Sequence, residues 1–124
     1  MIIGIGVDIV EIKRMERWLK DIKLLERYFH PDELAKVSLK ENSASQTLAA
    51  RFAAKEAFGK ALGTGLSQIA LKDISIYNND KGKPEIKLYG TAQEAFEKSG
   101  AAKAHISLSH ERENAIAMII LEKV

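Results

Sequence analysis

Three charged residues have types and spacing suited to holding a divalent cation. Glu56 and Lys60 stand four positions apart in an alanine-rich segment, so a helix would place them on one face. Asp8 follows Gly4 and Gly6 in an apolar segment near the amino end. Asp8 and Glu56 together would supply the two carboxylates with which proteins usually hold Mg²⁺ beside waters and phosphates. The sequence equally allows Asp8 to cap the next helix and Glu56–Lys60 to be a surface ion pair.

Two further features of the same segment suit anionic ligands. Gly63, Thr64 and Gly65 follow Lys60 directly and offer unshielded backbone N–H groups, which bind phosphate oxygens well. Arg51 and Lys55 form a second basic pair one helical turn apart. The small residues around these charges would let a ligand approach closely.

A histidine- and serine-rich stretch follows later in the chain. His105, Ser107 and Ser109 alternate on one strand face, and His110 falls at the strand end, where it suits binding of an anion such as a phosphate monoester. A Ser-His-Asp hydrolase stays possible, although no G-x-S-x-G elbow is present. Gly4-Ile5-Gly6 lacks the third glycine of a dinucleotide fingerprint, and there is no Walker lysine loop.

Basic residues dominate one side of the first helical segment, which carries Lys13, Arg14, Arg17 and Lys20. Such a run is usually a solvated helix face, and it also suits an acidic protein partner. The net charge of only +2 does not favour nucleic acid as a partner. A non-catalytic module that binds an acidic protein through this face is therefore one hypothesis for the function.

Composition and length set limits on the function class. The 124 residues predict a single domain over 1–124, with little room for a deep pocket of its own. There is no cysteine, which excludes disulfides and thiolate chemistry. No apolar stretch approaches the roughly 20 residues that a membrane span needs, and no leader pattern opens the chain. We therefore expect a soluble, cytoplasmic protein without membrane contact.

Hydrophobic periodicity predicts an α+β fold, a mostly antiparallel sheet packed by one long helix and shorter ones. The predicted helices are 11–29 with a break near Asp21, 31–37, a long one from Ser43 or Ser45 to Leu62, and 91–98 capped by Thr91. The predicted strands are 2–10, 73–77, 84–89, 104–109 and 115–121.

Two strands have unusual patterns. In the first, Gly4 and Gly6 share a face with Asp8, and glycine in a strand often marks close approach by another backbone or a ligand. Ile3, Ile5, Val7 and Ile9 form its other face. The last strand, 115–121, is apolar on both faces, which predicts a central strand or one covered by an interface.

Three separated blocks together resemble the short bacterial holo-[acyl-carrier-protein] synthases, which are 4′-phosphopantetheinyl transferases. The blocks are residues 4–12 (GIGVDIVEI), residues 51–65 (RFAAKEAFGKALGTG) and residues 106–110 (ISLSH), and the turn Gly82-Lys83-Pro84 also matches. The order and spacing agree over essentially the whole chain.

This resemblance implies a reaction and a site. The reaction is transfer of 4′-phosphopantetheine from coenzyme A to a serine of apo-acyl carrier protein, which releases adenosine 3′,5′-bisphosphate. Asp8 and Glu56 would hold Mg²⁺, Lys60 would contact the diphosphate, and Arg14 would meet the acidic carrier. Either Glu56 or a magnesium-bound water would take the serine proton. The residues that would bind coenzyme A are Arg51, Lys60, Gly63, Thr64, Gly65, Pro84 and His110.

The resemblance also implies an assembly. Family members of this length form homotrimers with active sites at the subunit interfaces, so we expect an isolated monomer to be inactive. Besides the non-catalytic module, a Mg²⁺-dependent phosphohydrolase that uses water in place of a carrier protein is the other hypothesis for this set of residues.

Overall fold

The computed structural model describes all 124 residues, Met1–Val124. Five helices and five strands follow one another, with one 3₁₀ turn at Leu71–Asp73. The helices are α1 (Ile12–Trp18), α2 (Ile22–Tyr28), α3 (Pro31–Lys36), α4 (Ala44–Leu62) and α5 (Gly90–Lys98). The strands are β1 (Ile2–Glu11), β2 (Ile74–Asn78), β3 (Pro84–Leu88), β4 (Lys103–His110) and β5 (Asn114–Glu122).

The strands form two antiparallel sheets, which confirms the predicted α+β class. One sheet has three strands in the order β1-β5-β4, and β2 pairs with β3 in the other. The apolar strand β5 is the central strand of the larger sheet, as its two-sided pattern predicted. Ala115, Ala117, Ile119 and Leu121 point to its buried face.

Helix α4 packs across the buried face of β1 and β5, and two glycines set how closely it approaches. A Cβ added to Gly4 would lie 1.9 Å from the carbonyl oxygen of Ala61, and one added to Gly6 would lie 2.0 Å from that of Ala57. Only glycine allows this contact, which confirms the close backbone approach expected from the strand pattern. Because Asp8 follows on the same face of β1, it too is directed toward α4.

The other face of the three-stranded sheet is apolar and open. Ile5 and Ile9 are each 61% exposed, and Val7 and Met118 are also exposed on this face. Ile3 departs from the predicted face, because a register shift between Ile2 and Gly4 lets it pack against the core. This outer face (Ile5, Val7, Ile9, Ile116 and Met118) carries five of the nine exposed large hydrophobic residues of the chain.

Several predicted boundaries and caps need correction. The first helix begins at Ile12 rather than Glu11, because β1 continues to Glu11. The break near Asp21 is confirmed, and Asp21 caps α2 by accepting a hydrogen bond from the Leu24 N–H. Thr91 does not cap α5, which begins at Gly90. Its hydroxyl instead donates to Asp73 at 2.6 Å. Ser43 is the N-cap of α4 by position, but its side chain makes no capping bond.

None of the helices combines the length and apolarity that crossing a bilayer requires. The longest, α4, has 19 residues and carries Arg51, Lys55, Glu56 and Lys60 along its length.

Candidate active site

Asp8 and Lys60 meet between β1 and α4. The Lys60 ammonium donates to Asp8 Oδ1 at 2.9 Å and to the Val7 carbonyl oxygen at 3.0 Å. The Asp8 side chain is 18% exposed and that of Lys60 is 55% exposed, so the pair lies at the molecular surface. The hypothesis that Asp8 caps the next helix is wrong, because Glu11 is the N-cap of α1 and makes no side-chain capping bond.

Glu56 completes a charged cluster with these two residues. It is half-buried one turn before Lys60, and burial raises the pKa of its carboxyl group. The negative charge of Asp8 raises this pKa further, while the cations Arg14 and Lys60 oppose the rise. The effect of the Asp8 charge on Glu56 indicates that α4 brings the two carboxylates within electrostatic reach.

The donor set fits Mg²⁺ bound in one particular way. The chain has no group of three or more His, Cys, Asp or Glu residues placed to hold a metal ion, so it does not form an all-protein cage. Mg²⁺ is instead commonly held by one or two carboxylates, with waters and substrate phosphates completing its shell. Asp8 and Glu56 would supply such a pair, and the contact with the Lys60 ammonium shows that Asp8 is open to a cation.

The Gly63-Thr64-Gly65 segment turns the chain back onto the end of α4. Gly63 ends the helix with φ 82°, and Gly65 has φ 69°, both in the left-handed region that favours glycine. The Gly65 N–H donates to the Gly59 carbonyl oxygen at 3.0 Å. Thr64 and Gly65 border a cavity of about 320 Å³ that reaches the end of α5. The segment therefore lies just beyond Lys60 with an open space beside it.

Arg51 lies on a different side of α4 from Glu56 and Lys60. The residue is 7% exposed, and it lines a cavity of about 450 Å³ with Tyr77 and Lys87. Burial lowers the pKa of its guanidinium group, and the negative charge of Glu33 opposes that change. The ion pairs of the chain do not include Arg51. The structure thus leaves this cation facing a cavity away from the Asp8 cluster.

His110 and Pro84 are also separate from the charged cluster. His110 ends β4 opposite Ala115 and is exposed. Pro84 begins β3 opposite Asn78 and borders a cavity of about 230 Å³ between β3 and β4. The predicted site residues therefore fall into one cluster around Asp8 and several positions elsewhere on the surface.

Arg14 lies beside the charged cluster. Its guanidinium carbon is 4.9 Å from the centre of the Phe52 ring and 5.1 Å from that of Trp18. The positive charge of Arg14 is close enough to Glu56 to oppose the rise in the pKa of that carboxyl group. The neighbouring basic side chains Lys13, Arg17 and Lys20 are exposed, as the periodicity of α1 predicted.

Sequence reasoning missed the role of Lys55, which it grouped with Arg51 as a basic pair. The Lys55 side chain is fully buried and forms an ion pair of 2.6 Å with the equally buried Glu33. The available indication was that Phe52, Phe58 and Gly59 stand three or four positions from Lys55, where they surround it on the helix surface. Its partner on α3 is 22 positions away, which no local pattern reveals.

Comparisons with known proteins point to one family. The family model of the 4′-phosphopantetheinyl transferase superfamily matches residues 4–118. The holo-[acyl-carrier-protein] synthase of Treponema denticola is 54% identical over 122 residues, covering 98% of this chain and 99% of that protein. The corresponding protein of Geobacter sp. is 49% identical over 126 residues, covering 99% of this chain and 100% of that protein.

Solved structures of such synthases have the same fold. The crystal structure of the Neisseria meningitidis enzyme matches with a TM-score of 0.88 and 36% identity, over 99% of this chain and 100% of that one. The Bacillus anthracis enzyme, crystallised in complex with CoA (3′,5′-ADP), matches with a TM-score of 0.81 and 38% identity, over 100% of this chain and 99% of that one. The chain belongs to the 4′-phosphopantetheinyl transferase superfamily.

Proposed function

We propose that the chain transfers the 4′-phosphopantetheine group of coenzyme A to a serine hydroxyl of an apo-acyl carrier protein. The meeting of Asp8, Glu56 and Lys60 between β1 and α4 is the observation that carries this proposal. The relatives of the chain are named for this reaction, and the Bacillus anthracis structure holds CoA (3′,5′-ADP). The reaction fits an absence of cysteine and of a serine elbow, because this phosphoryl-type transfer needs positioning and charge stabilisation rather than a protein nucleophile.

Each member of the cluster has a distinct task in this proposal. Asp8 and Glu56 would hold Mg²⁺, which when bound neutralises charge on the diphosphate. The serine oxygen attacks the β-phosphorus, the bond to the bridging oxygen breaks, and adenosine 3′,5′-bisphosphate leaves. Lys60, whose ammonium is half-exposed beside Asp8, places a cation where charge develops on the leaving diphosphate oxygen. The Glu56 carboxylate, half-buried beside Asp8, would accept the serine proton.

The remaining coenzyme A contacts are assigned to more than one copy of the chain. Thr64 and Gly65, which follow Gly63 at the end of α4, border a cavity that reaches α5, whereas Arg51, Pro84 and His110 lie elsewhere on the subunit. The apolar outer face of the three-stranded sheet supports burial of this surface against other copies. We assign the chain to a homotrimer, the assembly that its family resemblance implies, with each site completed by a neighbour. Sedimentation at the assay concentration tests this assignment, and an active monomer would contradict it.

The carrier protein would dock beside the cluster on α1. Arg14 flanks Glu56, and the exposed cations Lys13, Arg17 and Lys20 continue the basic surface. Acyl carrier proteins of this family are acidic, so opposite charges would steer the serine toward Asp8 and Glu56. We assign the reaction to the cytoplasm, a reducing compartment that is compatible with a chain without cysteine.

A mass measurement tests the reaction. Apo-acyl carrier protein, coenzyme A, Mg²⁺ and the chain are incubated, and the carrier is weighed by mass spectrometry. We expect a gain of one phosphopantetheine that disappears with Asp8→Ala or Glu56→Ala. Glu94→Ala, which removes an exposed carboxylate on α5, is the matched control and should transfer at the unaltered rate.

The same experiment separates the alternatives. A phosphohydrolase would consume coenzyme A without any carrier protein. A non-catalytic module would leave the carrier unmodified, and its binding to the carrier would be the same with Glu56→Gln. An unmodified carrier in the presence of the folded chain would contradict the proposed function.

A further inference from the structure

The buried pair of Glu33 and Lys55 lies on the side of α4 that faces away from Asp8, and the proposed reaction uses neither residue. Both side chains are 0% exposed, and Lys55 Nζ lies 2.6 Å from Glu33 Oε1. Burial lowers the pKa of Lys55, while the adjacent Glu33 charge raises it. Two fully buried charges, one on α4 itself and one on the adjacent α3, require an explanation.

The Lys55 ammonium uses its three donors on three different elements. It donates to Glu33 on α3, to the Leu71 carbonyl oxygen in the 3₁₀ turn at 3.0 Å, and to the Ile74 carbonyl oxygen on β2. An ammonium group has three N–H donors, so all of them are satisfied. Helix α4 is thus tied by directional bonds to three separate parts of the chain.

Glu33 is equally well partnered. Beyond Lys55, its carboxylate accepts the His30 N–H at 2.9 Å and the Ile76 N–H at 3.1 Å. The first bond belongs to the capping box that begins α3, and the second reaches β2. The carboxylate therefore holds α3 and β2 in one position relative to the Lys55 side chain.

On the opposite side of α4, the directional contacts with the sheet come from Lys60, which is half-exposed and donates to the Val7 carbonyl oxygen and to Asp8. There, Ala57 and Ala61 lie against Gly4 and Gly6, which have no side chains to interdigitate with them. The glycine contacts set how closely helix and strand approach, whereas in the proposed reaction the exposed Lys60 contacts have to yield to a bound ligand. Stability alone does not explain the buried pair, because apolar residues of similar volume often stabilise a core as well.

Rotation of α4 would directly affect the charged cluster. Glu56 follows Lys55 immediately, so the two side chains are rigidly related by about 100° around the helix. At a side-chain radius of about 5–6 Å, a rotation of about 20° moves the Glu56 carboxylate by about 2 Å. A displacement of about 1 Å can cost about 100-fold in rate at a catalytic centre.

We infer that Lys55 and Glu33 are positioning residues, which fix the rotational setting of α4 and thereby place Glu56 beside Asp8. This inference rests on the proposed function for the meaning of that placement. Lys55 is the first lysine of the segment that contains Glu56 and Lys60, yet its part is to orient the helix rather than to contact a substrate.

The test replaces Lys55 with an apolar side chain of similar length. Lys55→Met and the control Ile86→Ala, which trims a half-buried residue of β3, are compared at a temperature where circular dichroism shows both folded. Binding of Mn²⁺ alone is followed by electron paramagnetic resonance, and kcat and KM are measured separately. We expect Lys55→Met to weaken Mn²⁺ binding about 10-fold and to lower kcat about 100-fold, with the KM for the carrier little changed.

The control should bind Mn²⁺ and turn over as the unaltered chain does. Unchanged Mn²⁺ affinity and kcat in folded Lys55→Met would overturn the inference and leave the pair with a structural role only. If that variant does not fold, the double variant Glu33→Gln/Lys55→Met, which removes both buried charges, is measured in the same way. A failure of the proposed function is distinguishable, because then the unaltered chain itself would not modify the carrier.

Discussion

Lys55 and Lys60 stand five positions apart in one helix and have opposite environments. Lys55 is fully buried, with its ammonium on a carboxylate and two carbonyl oxygens. Lys60 is 55% exposed, with its ammonium on Asp8 and the Val7 carbonyl oxygen. Their side chains leave α4 about 140° apart. Lys55 therefore orients the helix from the buried side, whereas Lys60 is available to a ligand on the exposed side.

This difference shows what a charged residue can do on each side of a helix. A buried ion pair adds little net stability, but the loss of one partner leaves the other charge uncompensated. A half-exposed ammonium stays partly hydrated, so its desolvation costs little free energy, and it can exchange one anionic partner for another. We therefore expect variants on the buried side to act mainly on folding and geometry, and variants on the exposed side to act on transfer.

The largest expected effect on folding follows removal of the buried ammonium. Lys55→Ala leaves the Glu33 carboxylate buried without its cation and creates a cavity, so the free energy of unfolding should fall by about 3–5 kcal/mol. Urea unfolding at a fixed protomer concentration measures it. A loss below about 1 kcal/mol would mean that the pair is as dispensable as a surface salt bridge.

Removal of the exposed ammonium should leave folding intact and reduce transfer. We expect Lys60→Ala to lower kcat about 100-fold, since a cation beside the diphosphate is lost, and to change stability by less than about 1 kcal/mol. Steady-state kinetics and urea unfolding are measured on the same preparation. Loss of stability with kcat unchanged would reverse the assigned roles of the two lysines.

Arg14 should respond as part of the exposed side. Arg14→Glu reverses a charge next to Glu56 on the basic surface, so the KM for the acidic carrier should rise about 10-fold while that for coenzyme A changes little. Lys40→Glu, an equal charge change outside α1, is the matched control. Equal increases in both KM values would count against carrier docking on this surface.

The smallest effect concerns the pH dependence of stability. Burial and Asp8 raise the pKa of Glu56, so the folded chain binds this proton more tightly than the unfolded chain. Ionisation of Glu56 therefore lowers stability as the pH rises from the ordinary glutamate pKa through the raised one. Without Mg²⁺, Glu56→Gln should have a higher Tm than the unaltered chain at neutral pH, with the difference shrinking toward about pH 4. A Tm difference that stays constant across this pH range would contradict the prediction.

Local patterns predicted much of the fold because they reflect local physics. The glycine face of β1 predicted a close backbone contact, and the Ala57 and Ala61 carbonyl groups of α4 make that contact. The two-sided apolar pattern of β5 predicted its central place. The Thr91 cap was wrong because Asp73, 18 positions earlier, binds the Thr91 hydroxyl, a contact that depends on tertiary structure.

The candidate site was predictable to a similar degree. Glu56 and Lys60 share a face because of helical spacing alone, whereas the meeting of Asp8 with Glu56 needs β1 and α4 to be adjacent, which the residue types left open and the family resemblance implied. The burial of Lys55 depends on three distant elements, and the cavity that Arg51 faces depends on where α3 and β2 pack. Helical periodicity gives the angle between two side chains but not which of them faces the core.

A crystal structure of the chain with coenzyme A and Mg²⁺ tests the two-sided account of α4 most directly. We predict an ion in contact with Asp8 and Glu56, a diphosphate oxygen in contact with the Lys60 ammonium, and Lys55 still paired with Glu33. A diphosphate bound by Lys55, or an ion bound away from Asp8 and Glu56, would contradict the account.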